Sequence, residues 1–585
     1  MGSKALKVAT PALLLFLAAA ISAYSQPGQQ LRAADSTALG APTTVHGVVK
    51  NALSGEPLPR ALVLVDGGGG MGALTDGDGR FEIPGVSPGP NVFQVSRPGF
   101  EDAAGVPAGA QLRDMRGFSH NVFVTKDTPE LVFSMRPSNS IRGRIDLSTG
   151  DPASNSVTLL RRQIVNGRAV WHQDAGTRAN ADGWYHFAHL QDGDYAVVAE
   201  PAPESDIVTA PALADSDRDI ASNWYPQIYY PDARDFAGAA RIHLAAGEQV
   251  QANLTMPLEA FHPVRATLEL PAEFRGGEKL PGAQFEITSP DGHHLPYPGV
   301  YNSRANAVEV ILPDGTYALH VSAFTSASNA MSSRIMGAGR DSRLAARAAL
   351  TGQLDFTVAG HTLNKLRIPV GPQTPTPVEI DVNRTSTRAA SPGNHGEVFI
   401  EISQAGPLTD GMQGVFAQGS GPGSIDTMSP SPGRYWIHTI VADSTLCESS
   451  FTAGGASLAR EPLVVGQGGV TAPLTLTLRD DCASLTLSLP PSAAGLAAGE
   501  EPAYTVYVVP DFDFTTEAPS RTLRASTAST ATFNNLTPGS YHVYTFAAPV
   551  DLEYHNHDAL AAFPSQAITL APGDTQKLAL EVPAQ

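Results

Sequence analysis

The chain has 585 residues, more than one compact core holds, so several domains are expected. Charged residues make up only 16% while Gly (55) and Pro (47) are abundant, a balance that excludes a mainly helical protein. The formal net charge of −19 repels a polyanion, which excludes nucleic acid as a partner.

At the N-terminus, Lys4 and Lys7 precede the apolar run PALLLFLAAAI and the small residues Ala23 and Ser25. Residues 1–25 therefore read as a secretory signal peptide cut before Gln26. The alternative is an uncleaved anchor, but the run is shorter than the ~20 residues a membrane span needs. No later segment is long and apolar enough to cross a bilayer, so the expected location is secreted, periplasmic or cell-surface. Residues 26–42, QPGQQLRAADSTALGAP, form a polar linker.

Two markers then repeat along the chain. A small turn, Gly, one residue, Tyr and an alternating apolar run occur at Tyr195, Tyr317, Tyr435 and Tyr541; in PGPNVFQV, Asn91 takes the Tyr slot. A Gly-bearing turn followed by an alternating strand occurs at Gly247, Gly360, Gly466 and Gly573. Both markers give units of about 100–120 residues built from short alternating runs, the pattern of a β-sandwich. The expected fold is all-β: five sandwich units in a row, at 43–137, 138–258, 259–371, 372–480 and 481–585. In the second unit Tyr185, Phe187 and Leu190 should face inward, and Trp184 and His186 outward. The best helix candidate is RDSRLAARAAL at 340–350.

The stretch LTDGDGRFEIPGV opens like a calcium loop at Asp76-Gly77-Asp78-Gly79. Counted from Asp76, however, the fifth, sixth and twelfth positions are Arg80, Phe81 and Ser87, and the ligand offsets fail. It reads as a hairpin turn in which Asp bonds the backbone and Gly supplies a positive φ. Two cysteines, Cys447 and Cys482, suggest one disulfide in an exported chain, the alternative being two buried thiols.

GVVKNALSGEPLPRALVLV, LTDGDGRFEIPGV and PGPNVFQV together resemble the carboxypeptidase regulatory-like domain, a transthyretin-like sandwich. IRGRIDLSTGDPASNSVTLL with NADGWYHFAHLQDGDYAVV resembles a second copy. The third unit, with LPGAQFEI and LPDGTYAL, also looks like collagen-adhesin B-type repeats. The fourth and fifth resemble the family through their Gly-x-Tyr hairpins. The whole looks like exported bacterial proteins carrying arrays of such domains, often grouped with carbohydrate-binding-like folds. The resemblance specifies a fold rather than an activity.

Motifs for chemistry fail one by one. None of the 16 His has Glu three residues later, as a zinc peptidase would need. There is no Gly-x-Ser-x-Gly elbow, and the glycines of VDGGGGMG lack the Lys-Ser/Thr of a phosphate loop. No catalytic residue, metal site or cofactor is therefore assigned. Trp224, Tyr225, Tyr229 and Tyr230 crowd one loop-rich segment. Their faces could stack on sugar rings, or instead pack against a neighbouring domain. The sequence thus supports a secreted, non-catalytic, multi-domain binding protein, with polysaccharide or cell-envelope components as partners. The alternatives are a structural spacer or scaffold of the envelope and, last, an uncharacterised hydrolase.

Overall fold

The computed structural model describes residues 41–581 apart from 67–70, 103–118, 204–221, 273–279, 325–348, 386–396, 491–502 and a few shorter gaps. The signal peptide, nearly all of the linker and residues 340–348 of the helix candidate lie outside the described residues; Ala349 and Leu350 begin the strand Ala349–Val358. Among the described residues, no helix is long and apolar enough to cross a membrane.

The strands form five pairs of facing sheets. Each pair closes over its own buried core, centred on Phe93, Tyr195, Leu312, Leu476 and Val506 in turn. One topology recurs. The first strand of each sandwich pairs antiparallel with a central hairpin strand and parallel with the last strand. In sandwich one, Thr43–Asn51 lies between Arg80–Val86 and Leu131–Pro137. In sandwich five, Ala483–Ser488 lies between Thr530–Leu536 and Thr575–Ala579. The last strand is the one that follows each repeated Gly turn.

The Gly-x-Tyr marker also has a physical basis. The hydroxyls of Tyr195, Tyr317 and Tyr541 donate to the carbonyls of Gln191, Pro313 and Thr537, each four residues upstream. Asn91 makes the same bond with its amide, donating to the Ser87 carbonyl at 2.8 Å. The motif is thus a corner that pins a strand to the turn before it. The Asp-Gly turns are equally local. Asp76 Oδ1 accepts from the amides of Asp78 and Arg80, and Asn180 Oδ1 from those of Asp182 and Trp184. Gly79 and Gly183 supply the positive φ. The Asp76 carboxylate is therefore engaged by its own backbone.

In sandwich two, Tyr185, Phe187 and Leu190 are buried, while Trp184 and His186 are exposed. Strict alternation would place His189 rather than Leu190 inside. A bulge between Ala188 and Leu190, with His189 at φ 56°, restores the register.

Two compact units emerge, residues 1–138 and 139–585. The first contains sandwich one. In the second, contacts between the four sandwiches are not confined to neighbours in sequence. Strand Ser222–Tyr225, which falls inside the 138–258 segment, pairs with Glu259–Glu269 of sandwich three. Sandwich two also reaches past sandwich three to touch four and five. A solenoid whose repeats meet only their sequence neighbours is thus not what the second unit forms.

Candidate functional site

The aromatic segment does not present stacking faces. Tyr225 and Tyr229 are 3% and 1% exposed, and Tyr230 packs against the core of sandwich two. Trp224 is half-buried, its ring 6.0 Å from Phe261 of sandwich three. Tyr229 joins a small core with Trp171, Phe236 and Leu408, the last from sandwich four. A sugar platform needs exposed rings; here Tyr225 and Tyr229 are buried, and Trp224 and Tyr230 are partly accessible.

The structure instead directs attention to a long hairpin in sandwich two, Ser156–Val165 with Arg168–Arg178. Its turn is Asn166-Gly167, with φ 48° and 69°, the combination that matches the twist of flanking strands. These strands are about twice the usual length of 5–6 residues, so the tip overhangs its own sandwich. There it meets sandwiches four and five. The amide of Trp171 donates to the Pro407 carbonyl, 2.9 Å away. The amide of His555 donates to the Gly167 carbonyl at 3.1 Å, and Arg162 pairs with Glu553 at 2.7 Å. Arg168 places its guanidinium carbon 3.6 Å from the Trp436 ring centroid and donates to the Ala459 carbonyl.

Sandwiches four and five are joined directly as well. Cys447 and Cys482 form a disulfide with Cα atoms 5.9 Å apart, tying a strand of sandwich four to the residue before the first strand of sandwich five. Glu448 beside it is buried, and its carboxyl accepts from the Thr515 amide at 2.9 Å and hydroxyl at 2.7 Å. Burial pushes the Glu448 carboxyl up to about 7, against the two Thr515 hydrogen bonds.

Between hairpin tip, sandwich four and sandwich five lies a cavity of about 190 Å³. Its wall includes Arg168, His172, Gln404, Trp436, His438 and His555. Burial lowers Arg168 to about 10, so it stays charged at neutral pH. Of its five N–H donors, one is spent on Ala459, and no carboxylate among the described residues pairs with it. Burial lowers His172 and His438; Asp174 opposes this at His172, and Glu401 and Glu517 at His438. His555 is lowered to about 3, by burial first and then by Arg168, His438 and His557. Nδ1 of His172 is buried without a hydrogen bond of normal geometry, although Arg161 lies close. Ser403 is on the wall, but no imidazole hydrogen-bonds to it. The arrangement sets a fixed cation beside three imidazoles whose protonation burial disfavours. Among the described residues no group of three His, Cys, Asp or Glu could hold a metal ion.

Sequence reading missed Arg168, Trp436 and the three histidines because their meeting depends on contacts across hundreds of residues. One local signal was present. Asn-Gly between the alternating runs RRQIV and RAVWH is the strongest short-range mark of a hairpin.

Residues 44–115 match the family model of the carboxypeptidase regulatory-like domain. None of the curated proteins matches the chain. Similar solved structures include the Bacillus anthracis TIE protein, 10% identical over 73% of this chain and 69% of that one, with a TM-score of 0.14. A streptococcal ancillary pilin is 10% identical over 57% of this chain and all of its own, at 0.18. Two B repeat units of the collagen-binding protein of Staphylococcus aureus are 10% identical over 71% of this chain and 94% of theirs, at 0.12.

Proposed function

We propose that the chain is an exported, non-catalytic structural protein whose residues 139–585 act as one rigid block. The observation that carries this reading is the hairpin tip of sandwich two, held by sandwiches four and five at once through backbone hydrogen bonds, an ion pair and the Arg168–Trp436 stack. A flexible spacer has no use for such cross-bracing, because ordering side chains and loops between domains costs conformational entropy. The N-terminal signal pattern and the disulfide support export. Amide hydrogen exchange on the full chain tests the reading. The bridging amides of Trp171, His555 and Thr439, the last donating from sandwich four to the Thr515 carbonyl of sandwich five, should be protected together; fast exchange at all three would show that the sandwiches are merely tethered.

Polysaccharide binding is the second reading, favoured by the partly accessible Trp436 on the cavity wall. A broad glycan array with the full chain decides it: specific retention of one glycan class supports it, and a blank array removes it.

A further inference from the structure

We propose that the cavity between the hairpin tip of sandwich two and sandwiches four and five is a binding site for a small organic carboxylate, with Arg168 as its charge partner. This goes beyond the scaffold role and requires only that the junction be formed.

Charge balance is the first argument. The chain carries 57 acidic residues against 38 Lys and Arg. Arg80, Arg136, Arg162, Arg265, Arg460 and Arg479 each find a carboxylate within 2.7 Å. Arg168 is more enclosed than an ordinary surface arginine yet has no acidic partner, in a molecule with acids to spare. An enclosed charge left uncompensated is costly, and an anion from outside would remove that cost.

Geometry is the second. The indole of Trp436 covers the guanidinium carbon, and the Ala459 carbonyl holds one Nη. That leaves the planar fork that recognises a carboxylate through two parallel hydrogen bonds. Around it the wall supplies neutral nitrogen groups. His172 and His438 line the cavity, and the Gln404 side-chain amide, which donates to the Gly292 carbonyl, lies beside them. Asp174, Glu401 and Glu517 act on the imidazoles, and none of them acts on the guanidinium.

Size is the third. About 190 Å³ holds roughly six waters at ~30 Å³ each, or a single-ring acid of similar volume. A uronic acid, free or at the end of an acidic glycan, and an aromatic acid such as benzoate share this chemistry.

The test uses the full chain and four probes: glucuronate, a glucuronate-terminated disaccharide, benzoate and, as the uncharged control, methyl benzoate, each followed by calorimetry. At least one carboxylate should bind and methyl benzoate should not. Arg168→Gln should weaken that carboxylate about ten- to hundredfold. Preference for the disaccharide identifies a glycan end as the source; preference for free glucuronate or benzoate identifies a small acid. If Arg168→Gln loosens the junction, ligand-induced upward thermal shifts of the unaltered protein still report, with the ester giving none. No carboxylate binding at millimolar concentration, equal binding of the ester, or an unaltered affinity in a folded Arg168→Gln would overturn the proposal. Protected bridging amides with no carboxylate bound would defeat this inference alone; unprotected ones would defeat the scaffold reading.

Discussion

The guanidinium carbon of Arg168 sits over the indole of Trp436, 3.6 Å from the ring centroid, although the two residues belong to sandwiches two and four. A partly desolvated cation over an indole contributes about 1–2 kcal/mol. Arg168→Ala and Trp436→Ala should therefore each speed exchange of the Trp171 amide, which donates to Pro407 in the same junction. The double variant should lose less than the sum of the singles by about that amount. Strict additivity would show that the stack carries no energy.

Gly167 should tolerate no side chain. Its φ of 69° is strained for other residues, and a Cβ there would overlap the ring of Tyr554. Gly55 offers the control: its φ is 72°, but a Cβ would meet nothing within 4 Å. Gly55→Ala should cost only the left-handed backbone penalty, about 1–2 kcal/mol. Gly167→Ala should in addition release the tip from sandwich five, read as loss of protection at the His555 amide. Equal effects of the two substitutions would mean that the tip is not docked.

The junction of sandwiches four and five should weaken as pH rises. The folded Glu448 carboxyl keeps its proton up to about pH 7, whereas an unfolded one releases it near 4.5. Between these values the folded state binds more protons, so the contribution is complete below about pH 4.5 and declines as pH rises through 7, by a few kcal/mol. His172, His438 and His555 act in the opposite sense, since burial depresses them and folding then gains as pH rises through the ordinary imidazole range. Comparison of Glu448→Gln with the unaltered chain isolates the carboxyl. The variant should be relatively more stable above pH 7, and the difference should shrink towards pH 4.5. A pH-independent difference in thermal midpoint would refute this.

Each corner tyrosine should stabilise its own sandwich. Tyr317→Phe removes the hydroxyl that donates to the Pro313 carbonyl and should cost about 0.5–1.5 kcal/mol, seen as faster exchange in sandwich three only. Asn91→Ala should do the same in sandwich one by freeing the Ser87 carbonyl. No effect at either position would reduce the repeat to a turn preference.

These corners mark how far the sequence could be read. Gly-x-Tyr at 195, 317 and 541 encodes a bond four residues long, and Asp76 or Asn180 a turn of similar reach, so both show as repeats in one dimension. Tyr185 and Phe187 announce their inward face by alternation alone. The 222–230 segment misled because composition reports that aromatic rings are present and not what covers them; Leu408 and Phe261, which cover Tyr229 and Trp224, come from other sandwiches. The cavity was illegible for the same reason. Arg168, Trp436 and His555 each sit in unremarkable local patterns, and only the overhang of the Asn166-Gly167 hairpin brings them together.

A spin-label distance measurement in the full chain tests whether residues 139–585 form one rigid block. Labels at the exposed positions His186 in sandwich two and Thr530 in sandwich five would report across the junction, with the existing disulfide leaving no competing thiol among the described residues. A rigid block gives a single narrow distance distribution that broadens in Gly167→Ala. A broad distribution in the unaltered protein would contradict it.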